Sequence, residues 1–213
     1  MIDQQVPLWA NAATASLLQN LRANEPGTFV HSLRVGENSK QLAKIMGMSL
    51  YQQRVAEIAG YLHDLGEATI DQDILSKPIK LNAIEYEIMK SHVGASEDFI
   101  RPLAAINPFF KDVQNAIKYH HEQFNGMGYP DKLVGLQIPT ISRILCLLDA
   151  FDSMTTDRVY KAARTLKMAY AEIEKSAGIQ FDRQIVTAFL TSHKSFKQST
   201  ISDIEDYLYP HVA

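Results

Sequence analysis

Several features that mark special classes of protein are scarce or missing in this sequence. Among its 213 residues there is a single cysteine, Cys146, so an internal disulfide framework is excluded. No apolar run approaches the roughly 20 residues of a membrane-spanning helix, and residues 1–10 lack the basic and apolar regions of a signal peptide. The formal net charge of -3 provides no chain-wide positive field for a nucleic acid polymer. These absences predict a cytoplasmic protein whose partners include neither a membrane nor DNA or RNA.

Alternation of apolar and polar residues, which is typical of half-buried strands, is also missing. Helical periodicity dominates instead, with capping-box spacing at Ser49 and Asn82 and a capping residue at Thr28. Pro102 and Pro108 are predicted to bracket the connection that follows the fourth helix. The pattern therefore predicts an all-α fold, with helices near 7–23, 28–46, 49–64, 82–100, 109–120, 139–155, 166–177 and 182–193 and an amphipathic tail near 202–209.

Imidazoles and carboxylates interrupt the apolar faces of several predicted helices, since residues three, four and seven apart share a face. One histidine in such a place is usually a satisfied core or boundary residue. This many unpartnered groups would together cost several kcal/mol, which is comparable with the net stability of a domain. Because neutral imidazoles and carboxylates are ligands for divalent transition metals, the pattern predicts a shared metal cluster. The groups are His31, His63, Asp64, His92, His120, His121, Asp149 and Asp152.

Two adjacent pairs refine this prediction. Neighbouring residues on a helix lie about 100° apart, so His63 and Asp64 reach one cluster from different directions. Asp64 is therefore a candidate bridge between two ions, and His120 and His121 are candidates for different ions. Glu67 lies three residues beyond Asp64, on nearly the same face.

The same residues resemble the HD-GYP family, a branch of the HD phosphohydrolases. The resemblance rests on "HD" at 63–64, "HHEQFNGMGYP" at 120–130 and "DAFDSMTTDRVYK" at 149–161, in this order. It implies a multi-helix HD-domain bundle over 27–193, with a GYP loop over a metal cleft. An N-terminal helical segment, 1–26, would precede this domain, and a C-terminal helical tail, 194–213, would follow it. The implied activity is hydrolysis of cyclic di-GMP to the linear dinucleotide and on to GMP, with two or three divalent transition metal ions, iron or manganese.

The resemblance also implies roles for particular residues. Arg158 and Lys161 match positions that bind substrate phosphates, Asp152 matches a further acid near the site, and Tyr129 belongs to the loop beside the cleft. Together they form the predicted substrate-binding set, and the predicted partners are a cyclic dinucleotide and a regulatory protein docking at the GYP loop. Asp64 and Glu67 are the predicted catalytic residues. The predicted metal ligands are His31, His63, Asp64, His92, His120, His121, Asp149 and Glu67.

Three positions depart from the family pattern. Gly27 stands where three-metal members carry a glutamate, Glu67 replaces a usual lysine, and Asn125 replaces a usual aspartate. We expect Glu67 to supply the missing carboxylate, either as a ligand or through a hydrogen bond to a water at the metal. The competing interpretation is that Glu67 pairs with Lys77 or Lys80 on the surface.

Two other functions compete with hydrolysis. One is a catalytically weak module on the same fold that binds a cyclic dinucleotide or docks a partner. The other is an oxygenase of the di-iron type on an HD scaffold. Separately, the competing interpretation of Arg158 and Lys161 is that both are ordinary surface charges.

Overall fold

The structure, a computed structural model, describes residues 5–156, 163–193 and 208. These residues contain no strand, apart from an isolated bridge between Ala177 and Phe181, so the predicted all-α class is confirmed. No helix within the described ranges has both the length and the apolar character needed to cross a membrane. The α-helices are α1 (Ala10–Asn24), α2 (Pro26–Ile45), α3 (Leu50–Leu62), α4 (Gln72–Leu75), α5 (Ala83–Ile106), α6 (Pro108–Lys118), α7 (Thr140–Thr155), α8 (Leu166–Lys175) and α9 (Arg183–Ser192). Two 3-10 helices, Leu65–Thr69 and Gly135–Gln137, complete the set.

Both predicted capping boxes are present. The Ser49 hydroxyl accepts a hydrogen bond from the backbone N–H of Gln52, whose side chain accepts one from the N–H of Ser49. Asn82 and Glu85 make the same reciprocal pair at the start of α5. These bonds satisfy backbone donors that a helix start leaves unpaired. They define where α3 and α5 begin, and these two helices lead to His63 and carry His92.

The predicted start of α2 at Thr28 is wrong. The helix begins at Pro26, because the fixed φ of proline suits the first helical turn and its missing N–H is not needed there. The Thr28 hydroxyl donates instead to the Glu67 carboxylate, at 2.7 Å. Thr28, predicted to cap its own helix, thus connects two segments that are distant in the sequence.

The predicted end of the helix that follows Asn82, near residue 100, is also wrong. Helix α5 runs through Pro102 and continues to Ile106. Pro102 lies on an exposed part of the helix, where water can satisfy the carbonyl that has lost its donor. Ile100 and Ala104 are buried on either side of it, so side-chain packing holds the helix together across the proline.

A close crossing of α2 and α3 brings together the segments that carry the first two histidines. A Cβ atom on Gly60 would lie 2.5 Å from the Cα of Gly36, so both helices need glycine at this crossing. His31 on α2 and His63, just after α3, have ring centroids 5.3 Å apart. The small residues therefore set the spacing on one side of the candidate site.

Helix α1 packs on the same core as the rest of the described chain. Leu18 and Leu21 of α1 are fully buried together with Leu33 and Leu42 of α2. The proposed tail, 194–213, lies outside the described residues except for Leu208, which is buried. The division into 1–26, 27–193 and 194–213 stays a prediction.

Candidate metal centre

Asp64 lies at the centre of a group of histidines, in the turn between α3 and the first 3-10 helix. Its Oδ2 atom lies 3.1 Å from Nε2 of His63 and 3.6 Å from Nε2 of His31. Its Oδ1 atom lies 3.5 Å from Nε2 of His92 and 3.8 Å from Nε2 of His120. The two carboxylate oxygens therefore face two different pairs of imidazoles.

The remaining predicted ligands flank these pairs. Asp149 Oδ1 lies 3.2 Å from Nε2 of His31, and His121 Nε2 lies 3.2 Å from Nε2 of His92. The ligand atoms fall into two groups, each with all atoms within 4.8 Å of one another, and Asp64 belongs to both. The groups are His31, His63 and Asp64, and Asp64, His92, His120 and His121. The structure thus brings every predicted ligand except Glu67 to one place.

Backbone carbonyls orient three of the imidazoles. A carbonyl oxygen only accepts hydrogen bonds, so each Nδ1 that contacts one must carry the proton. The opposite nitrogen, Nε2, is then left with its lone pair, as a metal ligand requires. The pairs are His63 with Gly60 at 2.8 Å, His92 with Met89 at 2.6 Å and His120 with Ile117 at 2.7 Å.

Three of the imidazole nitrogens around Asp64 are buried without a hydrogen-bond partner among the described residues. These atoms are Nε2 of His31, of His63 and of His120. An unsatisfied buried polar atom costs about 1–3 kcal/mol, so three such atoms around Asp64 call for a bound partner. One divalent cation in each ligand group would satisfy these nitrogens and one oxygen of the Asp64 carboxylate, so the residues present fit a metal centre.

His31 is held differently from the other three. Its Nδ1 lies 2.7 Å from Oδ2 of Asp152, a buried carboxylate on α7. Arg34 in turn donates from Nε to Oδ1 of Asp152 at 2.6 Å and from Nη2 to Oδ2 at 2.7 Å. Asp152, predicted to bind substrate, therefore contacts a metal ligand and an arginine. Arg34 was missed by the sequence analysis, although it lies three residues after His31 on the same helix.

The charges at the centre favour a cation. Burial alone would raise the pKa of the Asp64 carboxyl, but His63 and the other nearby imidazoles hold it well below its usual range. Burial also opposes protonation of His31, yet Asp149, Asp152 and Asp64 outweigh it and raise the pKa of His31 to about 10. A point that attracts a proton this strongly also attracts a metal ion.

Two histidines of the second group, His120 and His121, are held neutral. Burial, together with the neighbouring imidazoles, lowers the pKa of His120 well below its usual value. Burial and the nearby His92 lower the pKa of His121 to about 4. Both side chains are therefore unprotonated at neutral pH, which is the state that binds a metal.

The GYP loop folds back onto this centre. The Tyr129 ring stacks on the His121 ring, with 4.9 Å between the ring centroids. The backbone N–H of Tyr129 donates to the backbone carbonyl of His121 at 3.3 Å. A Cβ atom on Gly128 would lie 2.3 Å from the Gln123 nitrogen, so only glycine allows this approach. Glu122, which is buried, accepts hydrogen bonds from backbone N–H groups further along the loop. The loop thus forms one wall of the site.

A cleft of about 790 Å³ opens over the metal centre. Its lining includes Gly27, Glu67, Tyr129 and Asp152 together with ligands from both groups. A volume of this size is typical of small-molecule sites. The predicted substrate residues Tyr129 and Asp152 thus reach the cleft, whereas Arg158 and Lys161 lie outside the described residues.

The three departures from the family pattern occupy distinct places. Gly27 borders the cleft, and a Cβ there would meet nothing within 4 Å. Glu67 also borders the cleft but is in neither ligand group. Lys77, one proposed partner for Glu67, forms an ion pair with Glu85. Asn125 accepts a hydrogen bond from a backbone N–H two residues on, which preserves the turn.

Comparison with known proteins agrees with this arrangement. The sequence model of the HD domain family matches residues 16–185. This chain belongs to the HD domain family. A solved HDG"Y"P protein from Bdellovibrio bacteriovorus shares the fold, with a TM-score of 0.65 and 15% identity over 86% of this chain and 62% of that one. The HD-domain family and the all-α HD fold predicted from the sequence are thereby confirmed, and the HD-GYP branch stays a prediction.

Two named phosphodiesterases are similar in sequence to this HD-domain chain. A cyclic di-GMP phosphodiesterase of Thermotoga maritima is 36% identical over 168 residues, which cover 78% of this chain and 45% of the relative. A 3'3'-cGAMP-specific phosphodiesterase of Vibrio cholerae is 30% identical over 204 residues, which cover 94% of this chain and 46% of the relative. The chain therefore spans a little under half the length of these relatives.

Proposed function

We propose that this HD-domain chain hydrolyses a phosphodiester bond of a cyclic dinucleotide. Cyclic di-GMP is the first candidate substrate, and the linear dinucleotide, followed by GMP, is the product. The observation that carries this proposal is the Asp64 carboxylate, whose two oxygens face two separate groups of imidazoles. The names of the two relatives support the substrate class.

The two groups define how this chain would hold its metal ions. His31, His63 and Asp149 would hold one ion, the second group of imidazoles would hold the other, and Asp64 would contact both. Two or three ions of iron or manganese are proposed, since the ligands are all nitrogen and oxygen. Such paired ions supply an activated water and neutralise charge that develops at phosphorus.

The protein's own side chains prepare the reaction. Hydrogen bonds at Nδ1 fix four of the five imidazole rings, so these ligands need no rearrangement when substrate arrives. The GYP loop, through Tyr129, forms one side of the cleft and limits access of bulk water to the reacting phosphate. Arg158 and Lys161 stay predictions as phosphate-binding residues. A cytoplasmic location and a regulatory protein that docks at the loop are likewise predictions.

The activity is tested by turnover of defined substrates. Protein reconstituted with manganese or ferrous iron should cleave cyclic di-GMP, and chromatography should show the linear dinucleotide appearing before GMP. The hybrid cyclic GMP-AMP, assayed in parallel, measures base preference. A chelator should abolish turnover, and adding metal back should restore it, because the centre supplies the nucleophile.

Each competing function has its own outcome in this experiment. Tight binding of the nucleotide without cleavage, at two metal ions per chain, would favour the regulatory module. Consumption of oxygen with the phosphodiester bonds intact would favour the oxygenase. Either result would overturn the hydrolase proposal.

Glu67 is proposed to act as an outer carboxylate of the metal centre. It borders the cleft, as Gly27 does, and the hydroxyl of the adjacent Thr28 donates to its carboxylate and orients it. A carboxylate there adds negative potential, which favours cations and opposes phosphate. Glu67→Lys should therefore weaken the affinity for metal, which lowers metal occupancy, and strengthen the affinity for the cyclic dinucleotide. Each affinity should change by about tenfold, or about 1.4 kcal/mol.

Glu67→Gln is the matched control, because it keeps the shape and the acceptor oxygen but removes the charge. Metal content by mass spectrometry should fall in both variants if charge is responsible. If occupancy is the same in both variants as in the parent, Glu67 plays no part in metal binding.

A further inference from the structure

The cleft of this chain has an excess of negative side chains for a site that would bind an anion. Five carboxylates line it, against a single lysine or arginine among the described lining residues, Arg34. A cyclic dinucleotide carries two phosphates, and ions at the metal centre would neutralise the one being cleaved. The other phosphate needs a donor elsewhere in the cleft. The carboxylates are those of Glu25, Asp64, Glu67, Asp149 and Asp152.

Arg34 is held in a fixed position by two neighbours, Asp152 in the last turn of α7 and Thr156 directly after it. Nε and Nη2 donate to the two oxygens of Asp152, and Nη2 also donates to the Thr156 hydroxyl at 3.0 Å. Thr156 is itself 3.3 Å from Asp152. The planar guanidinium thus has two of its three nitrogens anchored, so little conformational entropy is lost when it binds a ligand.

The third nitrogen remains available. Nη1 of Arg34 makes no hydrogen bond within the described residues, and the side chain is 31% exposed where it borders the cleft. Its charge is shared with Asp152, but the N–H groups of Nη1 still carry partial positive charge. An N–H of arginine to a phosphate oxygen is a strong, charge-assisted hydrogen bond.

We propose that Arg34 binds a non-bridging oxygen of the second substrate phosphate through Nη1, while Nε and Nη2 stay on Asp152. This inference rests on the proposed binding of a cyclic dinucleotide. Because Asp152 also contacts Nδ1 of His31, one rigid unit would then join the substrate to a metal ligand. Arg34 would thereby favour substrates that carry a second phosphate.

The test measures binding separately from turnover. The ligand is a bis-phosphorothioate analogue of cyclic di-GMP, whose sulfur atoms slow hydrolysis, titrated calorimetrically into manganese-saturated protein. Arg34→Met should weaken its binding about 10- to 100-fold, as expected for loss of a hydrogen bond to a charged group. Arg34→Lys keeps a positive charge but not the fork, so it should bind with intermediate affinity.

Arg143→Met is the control for the loss of an arginine–aspartate ion pair outside the cleft. Arg143 forms an ion pair with the buried Asp182 and does not border the cleft. This variant should lose stability while it keeps the parent's affinity for the analogue. Thermal melts and metal analysis of all variants show whether each one is folded and loaded.

Two outcomes would overturn the inference. In one, Arg34→Met binds the analogue as tightly as the parent does. In the other, the parent itself binds no analogue. If the parent binds the analogue but cleaves no cyclic dinucleotide, the hydrolase proposal fails while the role of Arg34 stands or falls on the binding data alone.

Discussion

Asp64→Asn should remove metal from both ligand groups at once. The substitution keeps the size of the side chain but removes the negative charge that faces His31 and His63 on one side and His92 and His120 on the other. Metal content is expected to fall from at least two ions per chain to less than one. Turnover of the cyclic dinucleotide should fall by about a thousandfold or more, since a metal centre contributes several kcal/mol to catalysis.

Asp182→Asn provides the control for this experiment. Asp182 is a buried aspartate that caps α9 and lies outside the cleft. Its variant should melt at a lower temperature yet keep its metal and its turnover when folded. If Asp64→Asn retained two ions per chain, the bridging position of Asp64 would be wrong.

Gly66→Ala should disrupt the metal centre without replacing a ligand side chain. Gly66 lies in the first 3-10 helix, and its N–H donates to the Ser96 hydroxyl at 2.8 Å. A Cβ atom there would lie 2.0 Å from the His92 carbonyl oxygen and 2.7 Å from the Ser96 nitrogen. Both are backbone atoms of a long helix, so the turn that carries Asp64 must move instead. We expect a loss of about 1–3 kcal/mol of unfolding free energy and a drop in metal content.

Gly94→Ala is the matched control on the same helix α5. A Cβ atom at Gly94 would meet nothing within 4 Å, and alanine favours a helix interior over glycine by up to about 1 kcal/mol. This variant should melt at or above the parent's temperature with full metal content. Equal melting temperatures and equal metal for Gly66→Ala and Gly94→Ala would contradict the close packing at Gly66.

The sequence by itself determined the helical class and predicted most residues of the candidate metal centre. Capping boxes at Ser49 and Asn82 act over three residues, so the sequence shows them directly. The interrupted apolar faces are also local signals, because burying an ionisable group without a partner is too costly to be accidental. That cost alone predicts that His63 and Asp64 belong to a shared cluster.

Only the tertiary structure decided how the members of the cluster contact one another. The Asp152 carboxylate meets His31 across 121 residues and Arg34 across 118, and no periodicity carries information over that distance. The same holds for the contact of Thr28 with Glu67, where a hydroxyl that could cap a helix binds a carboxylate instead. Local patterns report which side chains must be satisfied, whereas the choice of partner depends on which helices the packing of the whole core brings together.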